Sequence, residues 1–215
     1  MPSWHVEHLA GDVSAFHARL LSGERSATFF RAQQPTLVLG SSQRADSVDD
    51  EVTRRLGVEV ARRRSGGGGV LLWPDEHVWL DLEIPRSDPL WNDDVRRAMW
   101  WVGELWQRAL AELAPLATVH RGRLLPTPWS PDVCFAGVGP GELLLGDAKL
   151  VGISQRRTRG AARFQTMIHL RWRPDVVAAL VANGPAVEAL APLVATCPAP
   201  AADITARLTA ALNHL

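Results

Sequence analysis

Four consecutive glycines, Gly66 to Gly69, follow Arg62-Arg63-Arg64-Ser65, and no regular element can run through them. Glycine loses more backbone freedom on ordering than any other residue, so a run of four breaks a helix or a strand. The flanks are apolar and strand-like: 58–61 before the run, and 70–72 then 77–84 after it. The chain therefore leaves one strand through a loop and enters another. Without Cβ atoms that loop turns sharply and approaches a ligand closely. Successive backbone N–H groups can line an anion-binding concavity, and the arginines before them can grip a phosphate or carboxylate. It is not a Walker loop, because no Gly-Lys-Ser/Thr follows, and it lacks the spaced glycines of a dinucleotide fingerprint. Taken alone, the loop reads equally well as a solvated basic hairpin.

A second feature concerns charge. Of the 23 basic residues, 22 are arginine and one is lysine, Lys149. The two cations are interchangeable on a wet surface but not where a compact point charge is needed. Alternation along 149–155 puts Lys149, Val151 and Ile153 on one face and Leu150, Gly152 and Ser154 on the other. Gly152 leaves room for something to lie against the strand. An edge-strand lysine placed against aggregation is the competing reading.

The 215 residues, 47% of them apolar, suffice for one full core, and 23 basic against 23 acidic side chains leave no net charge. That balance argues against a general nucleic-acid or membrane-surface binder. Two cysteines make no disulfide framework, and no Cys/His spacing of a metal site appears. The N-terminus has no apolar run behind a basic start, and no stretch approaches 18 apolar residues, so the expected compartment is the cytoplasm. No heptad pattern is visible, which makes a monomer the default.

Periodicity predicts a helix from Asp12, with Val13, Phe16, Leu20 and Leu21 on one face, and a short strand at 36–39. A second helix is expected behind an N-cap at Ser47. The longest helix is expected behind Asn92, with a stripe of Val95, Met99, Val102, Trp106, Ala109 and Leu113. Segments 133–136, 142–145, 149–155 and 163–170 read as a meander, and 174–183, 186–195 and 203–214 as helices. Without strict β-α-β units, the expected class is α+β, a central mixed sheet flanked by helices.

Three blocks, in this order, resemble the catalytic domain of the lipoate–protein ligases, a family related to biotin ligases and octanoyltransferases. Gln34-Pro35-Thr36-Leu37-Val38-Leu39-Gly40-Ser41-Ser42-Gln43 looks like the family's early Pro-Thr-x-x-x-Gly-x-x-Gln strand. Arg62 to Val70 is similar to its Arg-Arg-x-x-Gly-Gly-Gly-x-Val loop, and Asp147 to Arg157 to its Lys-x-x-Gly-x-x-Gln-Arg strand. The resemblance implies a class II synthetase or biotin-ligase type of sheet, with residues 1–215 as one catalytic domain. It implies a cytoplasmic enzyme using ATP, Mg2+ and lipoate or octanoate, in which an acyl-adenylate passes its acyl group to a lysine. The implied acceptors are lipoyl domains of 2-oxoacid dehydrogenase acyltransferase subunits and the glycine-cleavage H protein.

By the same resemblance Lys149 meets the acyl carbonyl and α-phosphate. Arg62, Arg63, Ser65, Gly66, Gly67, Gly68, Gly69, Val70 and Leu71 form the nucleotide loop. Asp132 meets the nucleotide or its metal, and Gly152, Ser154 and Gln155 continue the lysine strand. Preorganised N–H donors and an ammonium suit charge developing on carbonyl and phosphate oxygens. The chain departs from the family where Leu72-Trp73-Pro74-Asp75 replaces a His-Asp pair, and where it ends without the small C-terminal accessory domain. Adenylation then either needs a separate accessory-domain chain or does not occur. A second branch is also resembled: octanoyltransferases in which a cysteine about fifteen residues before the lysine, here Cys134, holds the acyl group as a thioester without ATP. A third reading is a non-catalytic lipoate- or acceptor-binding subunit of a split ligase. Arg156, Arg157, Arg159 and Arg163 crowd one strand end, suited to ATP phosphates or an acidic acceptor. His120 and His169 are expected to be structural, as is Cys197.

Overall fold

A computed structural model describes residues 3–215. Ten strands form two sheets. The larger has seven strands: β1 (His5–Gly11), β2 (Ser26–Ala32), β6 (His77–Pro85), β10 (Ala161–His169), β9 (Ala148–Arg157), β8 (Leu143–Leu145) and β7 (Thr118–Val119), in that spatial order. Only the β1/β2 pair is parallel; the other neighbours are antiparallel. The smaller sheet has β3 (Thr36–Leu39) between parallel β4 (Glu59–Arg62) and antiparallel β5 (Val70–Leu72). The class is α+β with a mixed central sheet, as the sequence implied.

Side-chain alternation builds the layers. Leu80, Leu82, Ile84, Phe164, Ile168 and Val151 point to one face of the large sheet. There they pack on α3 (Trp100–Ala109) and α6 (Ala201–Leu212), through Val102, Leu105, Trp106, Ile204, Leu208 and Leu212. The opposite face carries Phe30, Trp79 and Met167, which meet Val38, Ala61, Val70 and Leu72 of the small sheet and Phe16 of α1 (Val13–Ala18). The small sheet's far face presents Leu37, Leu39 and Leu71 to Val177 and Leu180 of α4 (Pro174–Leu180). The glycine run is thus a loop of the small sheet held against the large one.

Several expected elements move. Sequence periodicity does not predict β1 and β2, which with α1 between them form a parallel β-α-β unit. α1 starts behind Asp12 as expected, but it ends at Ala18, and Leu20 lies exposed beyond it. The cap of α2 (Asp50–Leu56) is Asp49, which accepts the N–H groups of Glu51 and Val52, while Ser47 sits in a preceding 3-10 turn. Asn92 does not open α3. It accepts Asp94 N–H, and Asp94 in turn accepts from Arg96 and Arg97. These local side-chain bonds compete with helix, so α3 begins at Trp100, Val95 is left exposed, and α6, with 12 residues, is the longer helix. Residues 134–136 are a 3-10 turn rather than a strand. The segment 186–195 yields only α5 (Val187–Leu190) and a 3-10 turn. No helix among the described residues is long and apolar enough to cross a membrane.

Candidate functional site

The glycine loop, the 132–135 turn and β9 meet on the small-sheet side of the large sheet. Gly69 N–H donates to Asp132 O at 2.7 Å, and Cys134 N–H returns a bond to Gly69 O at 2.9 Å. This pair seats Gly68 so tightly that a Cβ there would lie 2.7–2.9 Å from backbone atoms of Val133, Asp132 and Cys134. Gly67 adopts φ of +99°, a left-handed conformation suited to glycine. Gly66 faces open space.

The arginines of the loop divide their work. Arg62 is exposed but donates to Gly40 O at 2.7 Å and Gln43 O at 2.6 Å, joining the first sequence block to the second. Arg63 is buried, donating to Val38 O, Gly66 O and Gly68 O, with Cys134 Sγ 3.9 Å from its Nη2. Its guanidinium shapes the loop from within, so the cation left beside the glycines for an outside anion is the exposed Arg64. Arg156 stands near Arg64, and burial together with the charges of Arg64 and Arg163 holds its pKa below the ordinary arginine value. Neither Arg64 nor Arg156 has an acidic partner among the described residues. The expected arginine cluster is otherwise dispersed. Arg157 stacks 4.0 Å over Trp91, and Arg163 pairs with Glu83 at 3.4 Å and Asp81 at 3.8 Å.

Lys149 reaches the site through an irregularity. Leu143 pairs with Val151 and Leu144 with Lys149, so Leu150 is an extra residue in β9. A bulge of this kind shifts the alternation by one. Lys149 consequently shares a face with Gly152 and Ser154, where the simple pattern opposed them. Its ammonium, 2% exposed, lies 2.8 Å from Cys134 O and 2.8 Å from Glu142 Oε2, and 5.2 Å from the centre of the Phe135 ring. The open place at Gly152 is taken by the same ring: a Cβ there would lie 2.9 Å from Phe135 Cζ. Gln155 alternates to the opposite face with Val151 and Ile153 and does not join the site, and Leu71 points to the α4 side.

Below these groups lies a buried polar floor. Ser65 Oγ bonds Ser154 Oγ and Gln165 Oε1, each at 3.0 Å. Gln165 Nε2 donates to Asp81 Oδ2 at 3.3 Å and lies 3.2 Å from His17 Nδ1. Burial lifts Asp81 to about 6 despite Arg163. Burial, reinforced by Arg63 and Arg163, lowers His17 to about 4. Only about 20 Å³ is free among Arg63, Val70, Trp79, Phe135, Ser154 and Gln165. On the outer side of the loop a cleft of about 340 Å³ is lined by Ser42, Gln43, Gly67, Ser130 and Asp132.

Cys134 is half-buried beside Gly67, its thiol free, while Cys197 is buried within the helix-side core. His169 is enclosed and held neutral by burial, and His120 is tied to Arg123 O at 2.7 Å. No group of three His, Cys, Asp or Glu among the described residues could hold a metal ion. Sequence reasoning passed over Glu142 and Phe135 as site residues. The signal for Glu142 was a single carboxylate at the head of Leu143-Leu144-Leu145. For Phe135 there was none, since its role depends on a facing glycine 17 residues away.

The family model for the lipoyl protein ligase A/B catalytic domain matches residues 6–204. No curated protein sequence matches the chain. Among solved structures, lipoate-protein ligase A bound with ATP superposes with a TM-score of 0.75 at 16% identity, covering 99% of this chain and 84% of that one. A protein of T. acidophilum, Ta0514, with bound lipoic acid has a TM-score of 0.73 at 16% identity, covering 99% and 86%. A structure from work on the bi-partite lipoate protein ligase of Thermoplasma acidophilum and its E2 lipoyl domain also scores 0.73 at 16% identity, covering 99% and 83%.

Proposed function

The chain belongs to the lipoyl protein ligase A/B catalytic-domain family, and from that premise we propose that it attaches a lipoyl or octanoyl group to a lysine of a lipoyl domain. The carrying observation is the convergence of the sole lysine, the glycine loop and the Cys134 turn on one sheet face. In this reading the carboxylate of the acyl substrate attacks the α-phosphate of ATP, pyrophosphate leaves, and an acyl-adenylate results. The acceptor amine then attacks the acyl carbonyl and AMP departs. Lys149 would place a buried ammonium beside the reacting carbonyl, and the loop N–H groups other than that of Gly69, which bonds Asp132 O, would face the phosphates, a fixed array of the kind that stabilises developing oxyanions. Arg64, Arg156 and the outer cleft at Gly67 and Asp132 would receive the nucleotide, with its Mg2+ arriving as part of that substrate. Neighbours of this fold with ATP and with lipoic acid support the pairing of substrates. The bi-partite neighbour and its lipoyl domain support a lipoyl-domain acceptor and a separate accessory chain.

One observation favours a second reading. Cys134 Sγ stands at the loop, 3.9 Å from Arg63 Nη2, with its carbonyl held by Lys149. Such a thiolate could attack the thioester of an acyl carrier protein, release the carrier thiol, and pass its acyl group to the acceptor amine without ATP. Incubation with ATP, Mg2+ and lipoate, or with octanoyl carrier protein, separates the two. Pyrophosphate release without an adduct on Cys134 supports the ligase; an intact-mass adduct on Cys134 without pyrophosphate supports the transferase. Near-normal transfer by Lys149→Arg would refute both, because a planar guanidinium cannot reproduce the 2.8 Å contacts to Glu142 and Cys134 O in this closed slot.

A further inference from the structure

Glu142 heads an apolar strand and is only 3% exposed. A carboxylate buried alone is strongly unfavourable, and this one meets three donors. Oε2 accepts Gly139 N–H at 2.6 Å and the Lys149 ammonium at 2.8 Å, while Oε1 accepts Ile153 N–H at 3.0 Å. Two of the three are backbone groups, from the turn before β8 and from β9 beyond its bulge. They fix the carboxylate whether or not the ammonium is there. The lysine is the movable partner, a charge on a flexible four-carbon stem. Glu142 and Cys134 O together occupy two of its three N–H directions. On the remaining side stands the Phe135 ring, 5.2 Å away and filling the place beside Gly152, so an acyl carbonyl would reach the ammonium as that ring gives way.

We propose that Glu142 is the positioning residue for Lys149: anchored by Gly139 and Ile153, it aims the ammonium at the acyl carbonyl without touching substrate. The catalytic consequence rests on the reading above that Lys149 serves that carbonyl; the pairing does not. A displaced ammonium matters because a misplacement of about 1 Å costs about 100-fold in rate.

Lys149 is the only lysine in the chain, so its side chain can be watched without ambiguity in protein labelled with ¹⁵N-lysine. The wild type is expected to give one ammonium cross-peak, protected from solvent exchange, and low reactivity of Lys149 toward trinitrobenzenesulfonate. Glu142→Gln removes the charge at nearly constant volume. It is expected to erase or shift that cross-peak and to raise the reactivity severalfold. Transfer by this variant should fall about 100-fold in kcat, with KM for the acyl substrate nearly unchanged. Glu142→Asp keeps the charge and should recover part of the loss, which a purely structural role would not predict; it also serves if the glutamine variant fails to fold. An unchanged lysine signal, reactivity and kcat in Glu142→Gln overturns the proposal. A collapsed lysine signal in a chain whose wild type transfers no acyl group upholds the pairing and overturns the assigned activity instead.

Discussion

The four glycines are not equivalent, and alanine at each in turn separates their roles. At Gly68 a Cβ would meet Val133 N at 2.7 Å, Asp132 C at 2.8 Å and Cys134 N at 2.9 Å. All three are backbone atoms that no rotamer change can clear, so the 132–134 segment must retreat. Overpacking of this kind costs about 1–3 kcal/mol. Retreat also stretches the two bonds between Gly69 and the turn, worth about 1 kcal/mol each. For a chain of this size about 1 kcal/mol shifts Tm by roughly 2–4 °C, so a loss of about 3–5 kcal/mol in Gly68→Ala should lower it by about 6–20 °C. Gly67→Ala forces a side chain into φ of +99° with Arg63 Nη2 at 3.0 Å, a strain of about 1–3 kcal/mol. At Gly69 the nearest atoms are Asp132 O at 3.1 Å and Leu37 Cδ1 at 3.3 Å, which can yield slightly. Gly66 meets nothing and has an ordinary φ, so alanine there should be neutral or stabilise by about 0.4–1 kcal/mol through the unfolded chain. Thermal unfolding by circular dichroism should therefore rank the variants 68, 67, 69, 66, from most to least destabilised. Acyl transfer by Gly68→Ala should be lost in parallel. A Gly66→Ala variant as damaged as Gly68→Ala would refute the seating of the loop against the 132–134 turn.

Lys149→Met leaves the Glu142 carboxylate buried without its counter-charge and should cost about 3–5 kcal/mol in urea unfolding; a loss below about 1 kcal/mol would mean the pair is not buried as described. Gly152→Ala should displace the Phe135 ring, whose Cζ would stand 2.9 Å from the new methyl, and lower stability by about 1–3 kcal/mol, with Phe135→Ala in the same chain relieving it. Acidification should destabilise the fold. Burial lowers His77 to about 4, His169 to about 3 and His17 to about 4. Their contribution is complete above the free-imidazole value of about 6.5 and is lost as pH falls below it. Asp81, raised to about 6, opposes this, because its contribution is lost as pH rises through that value. Three imidazoles against one carboxyl leave about two extra protons on the unfolded chain, so stability should fall by roughly 3 kcal/mol per unit between about pH 6 and 4. A urea midpoint equal at pH 6.5 and pH 5 would contradict that.

The helix-side core was legible because its period is simple: Val102, Trp106 and Ala109 on α3, and Ile204, Leu208 and Leu212 on α6, repeat at helical spacing. β1 was not. Its His5-Val6-Glu7-His8-Leu9-Ala10-Gly11 run mixes polar and apolar groups on both faces, as an edge strand with half-exposed sides permits. The parallel partner β2 is recruited across α1, a pairing that only tertiary contact decides. Residues 133–136 looked apolar enough for a strand. A single bridge from Val133 to Gly69 is all the pairing they find, and the chain turns toward the glycine loop instead.

For the site, residue types were readable and their aim was not. The glycine run, Arg63, Cys134 and Lys149 do meet, because bonds from Arg62 to Gly40 and Gln43, and from Cys134 to Gly69, tie the sequence blocks together. Strict alternation, however, would have put Lys149 on the helix side with Val151, away from the loop. One added residue, Leu150, reverses this. A bulge costs a strand part of its ladder, and such irregularities concentrate where a side chain must be re-aimed. Here it turns the only lysine toward a carboxylate that two backbone N–H groups have already fixed. The same inversion brings the ring of Phe135 between Lys149 and Gly152, so under the proposed function an acyl chain laid along β9 would have to displace that ring before its carbonyl reached the ammonium. Substituting Phe135 with alanine would then lower KM for the acyl substrate while leaving the Lys149–Glu142 pair in place. A raised KM would instead make the ring part of the acyl pocket's wall.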